Sequence, residues 1–230
     1  VPAVLWLIAF YRQDLNPEPK QLVLGVFLLG ALLAQAIGQP VIRDLFHVQE
    51  WSTHDTLLGF FAAILIVGVV QEFLKYAAVR YTVFNSPEFD QPVDGIIYAA
   101  SAGLGYATML NIWYVIDNGG VDLGVGAVRC AIEALAQAST AGVVGYFLGQ
   151  AKFRSMGPIW LPAGIVLAAA LNAAVNLLLD RAPLMGTFGF NVWAALIAAV
   201  VVAGVIFGAL LTIIKRLNET AVARAARSDA

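Results

Sequence analysis

Long apolar stretches alternate with short polar or Gly- and Pro-containing breaks along the whole chain. The apolar stretches cover residues 1–11, 22–40, 56–77, 94–116, 127–150, 158–179 and 190–214. All but the first are long enough, at 1.5 Å per helical residue, to cross a hydrocarbon core of about 30 Å. The pattern therefore predicts an all-α fold, a polytopic transmembrane helical bundle of about seven spans.

The first apolar stretch is too short to cross a membrane by itself. As a helix, residues 1–11 would cover about 16 Å, and the sequence starts with Val1 rather than Met. We expect the natural chain to begin upstream, so that residues 1–214 form one transmembrane domain whose first span is N-terminally incomplete. The remaining residues, 215–230, form a basic tail.

The distribution of Lys and Arg predicts the orientation of the bundle. Ten of the 13 cationic residues lie on one side of the predicted spans, and three, Arg43, Arg129 and Arg181, lie on the other. Cytoplasmic loops carry the excess of Lys and Arg in membrane proteins, so the C-terminus is expected to be cytoplasmic. The expected surroundings are those of an integral membrane protein, with the lipid bilayer as its first partner.

Composition narrows the possible functions. Hydrophobic residues make up 60% of the chain and charged residues 12%, against roughly 25% charged residues in a soluble domain. A net charge of −2 excludes an electrostatic nucleic-acid binder, which needs a basic face. The single cysteine, Cys130, excludes an internal disulfide and a thiolate metal cluster. No His pair or HExxH motif lies within a span, so we predict no metal and no cofactor.

Polar side chains inside three of the spans are the candidate functional residues. Ionisable groups are costly in a bilayer and commonly mark function. Spacings of three and four residues place them as pairs on single helix faces. They either form interhelical hydrogen bonds that stabilise the bundle or line a polar chamber that carries chemistry. The residues are Gln71, Glu72 and Lys75 in the third span, Arg129, Glu133 and Gln137 in the fifth, and Asn172 and Asn176 in the sixth.

Several short motifs occur together in the first 180 residues. An Asp and a Pro-Glu-Pro turn follow the first span, residues 71–75 are Gln-Glu-Phe-Leu-Lys, and residues 92–114 contain Asp-Gly, Gly-Leu-Gly-Tyr-Ala and Asn111. With residues 129–149 and 171–179, these segments resemble the PrsW family of intramembrane proteases, which are related to the CAAX-prenyl proteases. The resemblance implies a location in the plasma membrane of a bacterium or archaeon.

The resemblance also implies that the catalytic set is degenerate. Two family Glu residues and two family His residues fall on side chains that cannot act as a general base near neutral pH, because amides and aliphatic groups do not titrate there. Four polar family residues are retained. The substituted positions are Gln71 and Leu110 for Glu and Gln137 and Asn172 for His, and the retained residues are Glu72, Lys75, Asn111 and Asn176.

Two functions of different classes fit this pattern. The first is a non-catalytic, PrsW-like pseudoprotease that binds a transmembrane helix or acts as an accessory subunit of a larger membrane complex. The second is an active PrsW-type protease that cleaves single-span substrates with Glu72 as base beside Lys75, and with Asn172 and Asn176 as oxyanion donors. A transporter is less well supported, because the sequence has neither inverted repeats nor paired broken helices.

Overall fold

The computed structural model describes residues 2–48, 57–120, 123–187 and 192–228. The expected first residues of three spans, 1, 56 and 190, and the last two residues of the tail lie outside these ranges. The described residues form seven α-helices and no strand, which confirms the predicted all-α bundle of about seven spans. The helices are α1 (Pro2–Tyr11), α2 (Lys20–Leu33), α3 (Leu57–Arg80), α4 (Pro92–Asp117), α5 (Val125–Phe153), α6 (Trp160–Thr187) and α7 (Val192–Ser228).

Helix length and composition distinguish spans from shorter elements. Within the described residues, four segments are long and apolar enough to cross a membrane: Lys20–Leu45, Val125–Phe153, Trp160–Leu179 and Trp193–Ala223. The first of these combines α2 with two π-helical turns, Ala34–Gly38 and Val41–Leu45. Helix α1 has 10 residues, about 15 Å, and is shorter than the hydrocarbon core.

The helix ends differ from the expected ones mainly at the C-terminus. Helix α7 runs without a break from Val192 to Ser228, because the Ala, Arg, Lys and Glu residues beyond position 214 favour helix. The division into a transmembrane domain and a basic tail rests on charge and stays a prediction, as does the cytoplasmic location of the C-terminus.

Helix α4 is the centre of the bundle. All of its residues from Val93 to Ala107 are buried, and α1, α2, α3 and α5 pack around it. Glycines allow the closest approach to α5. A methyl group at Gly145 would overlap the carbonyl of Gly95, and one at Gly103 would overlap the carbonyl of Gln137. This contact fixes the register of α5 and hence the height of its polar side chains.

A second close contact joins α3 to α6. A methyl group at Gly68 would lie 2.7 Å from the carbonyl oxygen of Ala169, which is too short for van der Waals contact. Gly68 precedes Glu72 by four residues and Ala169 precedes Asn172 by three, so both polar residues lie on the contacting helix faces. The backbone approach thus places the polar groups of α3 and α6 opposite one another.

Candidate functional site

The C-terminal half of α3 contributes an ion pair that is completely buried. Lys75 Nζ lies 2.6 Å from Glu72 Oε1, and both side chains are 0% exposed. The two residues are one helical turn apart, as the sequence spacing predicted. Lys75 Nζ also lies 5.5 Å from the centre of the Tyr106 ring on α4. The pair therefore brings a formally neutral charge couple into the bundle interior.

Amide side chains from three helices surround this ion pair. Gln137 Nε2 on α5 donates to Gln71 Oε1 at 3.1 Å and to Asn172 Oδ1 at 3.2 Å. Asn172 Nδ2 on α6 donates to Gln71 Oε1 at 2.8 Å and to Glu72 Oε1 at 2.9 Å. Asn176 Nδ2 donates to Asn172 Oδ1 at 3.0 Å. The faces of α3, α5 and α6 therefore converge on one hydrogen-bonded cluster.

Two further residues of α5 complete the cluster. Glu133 Oε1 accepts a hydrogen bond from Gln137 Nε2 at 2.9 Å, and Thr140 Oγ1 donates to Glu72 Oε1 at 2.8 Å. We call the whole set the polar centre. Its members are Gln71, Glu72, Lys75, Glu133, Gln137, Thr140, Asn172 and Asn176.

The two oxygens of the Glu72 carboxylate have different environments. Oε1 accepts three hydrogen bonds, from Lys75, Thr140 and Asn172, whereas Oε2 is buried and has no hydrogen-bond partner among the described residues. Gln137 Oε1 is also buried without such a partner. Donors to a carboxylate favour its charged form and lower its basicity. The described geometry thus holds Glu72 as an anion by one oxygen.

Other residues singled out from the sequence contact different groups. Asn111 Nδ2 donates to the carbonyl of Cys130 at 3.0 Å, which ties α4 to the start of α5. The guanidinium carbon of Arg129 lies 4.2 Å from the centre of the Tyr114 ring. Leu110 packs with an apolar cluster that includes Tyr106.

Thr140 was missed in the sequence, although a signal was present. It follows Gln137 by three residues and so lies on the same face of α5. Threonine in a helix commonly bonds to a carbonyl of the preceding turn, which makes a lone Thr an uninformative sequence feature. Its bond to Glu72 follows from the packing of α3 against α5.

A second buried polar cluster was also missed. Asp14, Glu18 and Asp94 each offer a carboxylate oxygen within 4.8 Å of the others. Tyr98 donates its hydroxyl to Glu18 Oε2. The Asp, the Pro-Glu-Pro turn and the Asp-Gly pair were noted only as family-like motifs. We call these three carboxylates the acidic cluster.

Comparisons with known proteins agree on one family. A family model described as "PrsW family intramembrane metalloprotease" matches residues 18–207. Curated proteins named Protease PrsW are similar to this chain in Oceanobacillus iheyensis, at 31% identity over 66% of each chain, and in Geobacillus kaustophilus, at 34% identity over 66% of this chain and 64% of the relative. The relative in Shouchella clausii is 29% identical over 87% of each chain.

These alignments cover the polar centre and the acidic cluster differently. The family model begins at residue 18 and ends at residue 207, so it includes every member of the polar centre. The chain spans just under two thirds of the length of the first two relatives. No solved structure matches the chain. The resemblance inferred from the motifs is confirmed.

Proposed function

Since the chain belongs to the PrsW family, whose model describes intramembrane metalloproteases, and is an integral membrane protein, we propose that it binds a transmembrane helix without hydrolysing it. The binding site would be the retained family fold around the polar centre. The bound helix would come from a single-span protein or from another subunit of a larger membrane complex.

One observation carries this proposal. Gln71, Gln137 and Asn172, the positions at which the family resemblance places one Glu and two His residues, hydrogen-bond to each other at 2.8 to 3.2 Å. Amides keep hydrogen bonds but neither accept a proton near neutral pH nor supply an imidazole ligand. The amides satisfy one another, so the side chains that replace the catalytic set form a stable internal contact.

The polar centre does not fit a hydrolytic metal ion. Zinc in such enzymes is held by His, Cys and carboxylate ligands, and the polar centre offers amides, one hydroxyl and two carboxylates. The Lys75 ammonium already contacts Glu72 Oε1 at 2.6 Å, and a second cation at that oxygen would meet its repulsion. We therefore derive no step through a metal.

A second candidate function is peptide hydrolysis with Glu72 as the base. It is favoured by the unpartnered, buried Oε2 of Glu72 and by the name Protease PrsW given to the relatives. In this mechanism Glu72 Oε2 takes a proton from water while the water oxygen attacks the peptide carbonyl. Asn176 would donate to the oxyanion, whereas Asn172 would first have to release one of its two acceptors.

Cleavage and binding assays on the same sample separate the two candidates. The purified chain is reconstituted into liposomes with single-span peptides that carry a photo-crosslinker and a fluorescence-quenching pair. The Geobacillus kaustophilus relative provides the reference for cleavage. We expect crosslinking of a peptide without cleavage, and the same result for Glu72→Gln.

Cleavage by the native chain that Glu72→Gln abolishes and the exposed-site control Glu219→Gln retains would establish the second candidate instead. Absence of any crosslinked peptide, together with the absence of partner proteins after purification in mild detergent, would overturn helix binding.

Restoring the family residues tests the metal argument independently. We expect the native chain to bind no Zn²⁺, and the triple variant Gln71→Glu, Gln137→His, Asn172→His to bind about one equivalent, since it regains carboxylate and imidazole ligands. Gln150→His, at a buried position outside the polar centre, is the control for a single added His. Equal Zn²⁺ content in the native chain and the triple variant would contradict the argument.

A further inference from the structure

The acidic cluster lies where the connection between α1 and α2 meets the start of α4. Asp14 and Glu18 belong to that connection, and Asp94 lies in the first turn of α4. The residues are 6%, 3% and 0% exposed respectively. Three carboxyl groups have thus been removed from water and placed with one oxygen each within 4.8 Å of the others.

Backbone groups hold two of these carboxylates by one oxygen only. Asp14 Oδ1 accepts a hydrogen bond from the Asn16 amide at 3.0 Å, and Asp94 Oδ2 accepts one from the Gln91 amide at 2.6 Å. The other oxygens, Asp14 Oδ2 and Asp94 Oδ1, are buried without a hydrogen-bond partner among the described residues. Unpartnered buried oxygens of ionisable groups are destabilising, and their presence in the same cluster points to a missing ligand.

The third carboxylate is fixed by tyrosine. Tyr98 donates its hydroxyl to Glu18 Oε2, and the hydroxyl of Tyr11 donates to the Glu18 carbonyl at 2.7 Å. These contacts orient the Glu18 carboxyl group from behind, as outer hydrogen bonds orient the ligands of metal sites. They use one carboxylate oxygen.

The nearest basic side chain does not neutralise the cluster by direct contact. Lys152 Nζ donates to the carbonyl oxygens of Phe84 at 2.5 Å and Phe89 at 2.6 Å, so two of its three protons are directed to backbone. Burial raises the pKa of Glu18 to about 6 and also raises the pKa of Asp14. Both shifts express the difficulty of keeping several buried carboxylates ionised without a counter-ion.

We propose that Asp14, Glu18 and Asp94 form a binding site for a hard divalent cation, with Ca²⁺ as the best fit. Carboxylate oxygens are the preferred ligands of Ca²⁺ and Mg²⁺. Opposed ligands of Ca²⁺, at 2.3–2.6 Å from the ion, lie about 5 Å apart, whereas those of Mg²⁺ lie about 4 Å apart. The 4.8 Å limit of the cluster therefore accommodates Ca²⁺ with little movement, and water would complete the coordination.

Occupation of this site would link the α1–α2 connection to the central helix. The cation would contact both Asp14 and Asp94, which are 80 residues apart in the sequence, and relieve their mutual repulsion. The site uses different residues from the polar centre, so it does not depend on whether the protein hydrolyses peptides.

The test uses the full chain in detergent micelles, treated with a chelator and then freed of it. Melting temperature is measured with CaCl₂ or MgCl₂ up to about 5 mM, a range that includes the weakest Ca²⁺ sites of proteins. Tb³⁺ luminescence provides a direct binding signal, since Tb³⁺ replaces Ca²⁺ and is sensitised by nearby tyrosine. We expect Ca²⁺ to raise the melting temperature by several degrees and to displace Tb³⁺ more effectively than Mg²⁺ does.

Asp14→Asn and Asp94→Asn should each weaken Ca²⁺ binding at least about tenfold, because ligand charge sets affinity at such sites. Asp90→Asn, at an exposed carboxylate nearby, should leave binding unchanged. A melting temperature that does not respond to Ca²⁺ in the native chain, or Tb³⁺ binding that persists in both ligand variants, would overturn the proposal. If Asp94→Asn does not fold, Asp14→Asn and the native titration decide the result.

Discussion

Removing one partner of the Glu72–Lys75 ion pair should destabilise the protein strongly. At 2.6 Å and an effective dielectric constant of about 20, two unit charges attract by about 6 kcal/mol before desolvation is subtracted. Lys75→Met would leave a buried carboxylate with two neutral donors, Thr140 and Asn172. Loss of one member of a buried pair costs about 3–5 kcal/mol, so we expect a decrease in melting temperature on the order of 10 °C.

A double-mutant cycle separates the charge pair from the loss of packing. Glu72→Gln should be destabilised like Lys75→Met, because it leaves an ammonium group buried. The double variant removes both charges and should be more stable than the sum of the single changes predicts, by at least about 2 kcal/mol. Thermal melting in detergent, followed by size-exclusion chromatography of the soluble fraction, measures each variant.

An exposed ion pair on α7 provides the matched control. Lys215 Nζ and Glu219 Oε1 are 4.0 Å apart, with side chains that are 78% and 64% exposed. Lys215→Met and Glu219→Gln should leave the melting temperature unchanged, since exposed pairs contribute little. Additive effects of the two changes at Glu72 and Lys75, or effects as small as those on α7, would refute the assignment of a buried, coupled pair.

Three further changes test the packing around the two clusters. Gly105→Ala should destabilise the bundle by about 1–3 kcal/mol, because its methyl group would overlap a carbonyl of α2, whereas Gly25→Ala meets open space and should be neutral in the same melting assay. Lys152→Gln should lower the melting temperature, since it removes a charged donor from two carbonyls, while Lys215→Gln should not. Asn176→Ala should cost about 1 kcal/mol, consistent with its single bond within the polar centre, and a loss as large as that of Lys75→Met would contradict this.

Local spacing predicted the contacts within each helix correctly. Glu72 and Lys75, three residues apart, form an ion pair, and Asn172 and Asn176, four residues apart, form a hydrogen bond. These contacts depend only on helical periodicity, which the apolar pattern already indicated. The all-α class followed in the same way, because a bilayer admits helices and closed barrels and the pattern had no strand period.

Contacts between helices were beyond the sequence. The bond from Thr140 to Glu72 depends on the depth at which α5 packs against α3, and glycine contacts such as that of Gly103 with α5 set this depth. The acidic cluster joins Asp14 and Asp94 across 80 residues of sequence. No periodicity within a helix reports such a separation, so motif resemblance marked the residues without giving them a role.

The enclosure of α4 has a consequence for how the protein is made. Membrane helices commonly enter the bilayer one at a time and associate afterwards, which requires each to partition into lipid unaided. Residues 93–107 of α4 carry Asp94 and Ser101 and have no exposed face in the finished bundle. A nascent chain that ends after Asp117 lacks α5, whose glycine-lined surface covers this helix. Stable integration of α4 should therefore wait for synthesis of α5, so that the two helices enter the membrane as a hairpin.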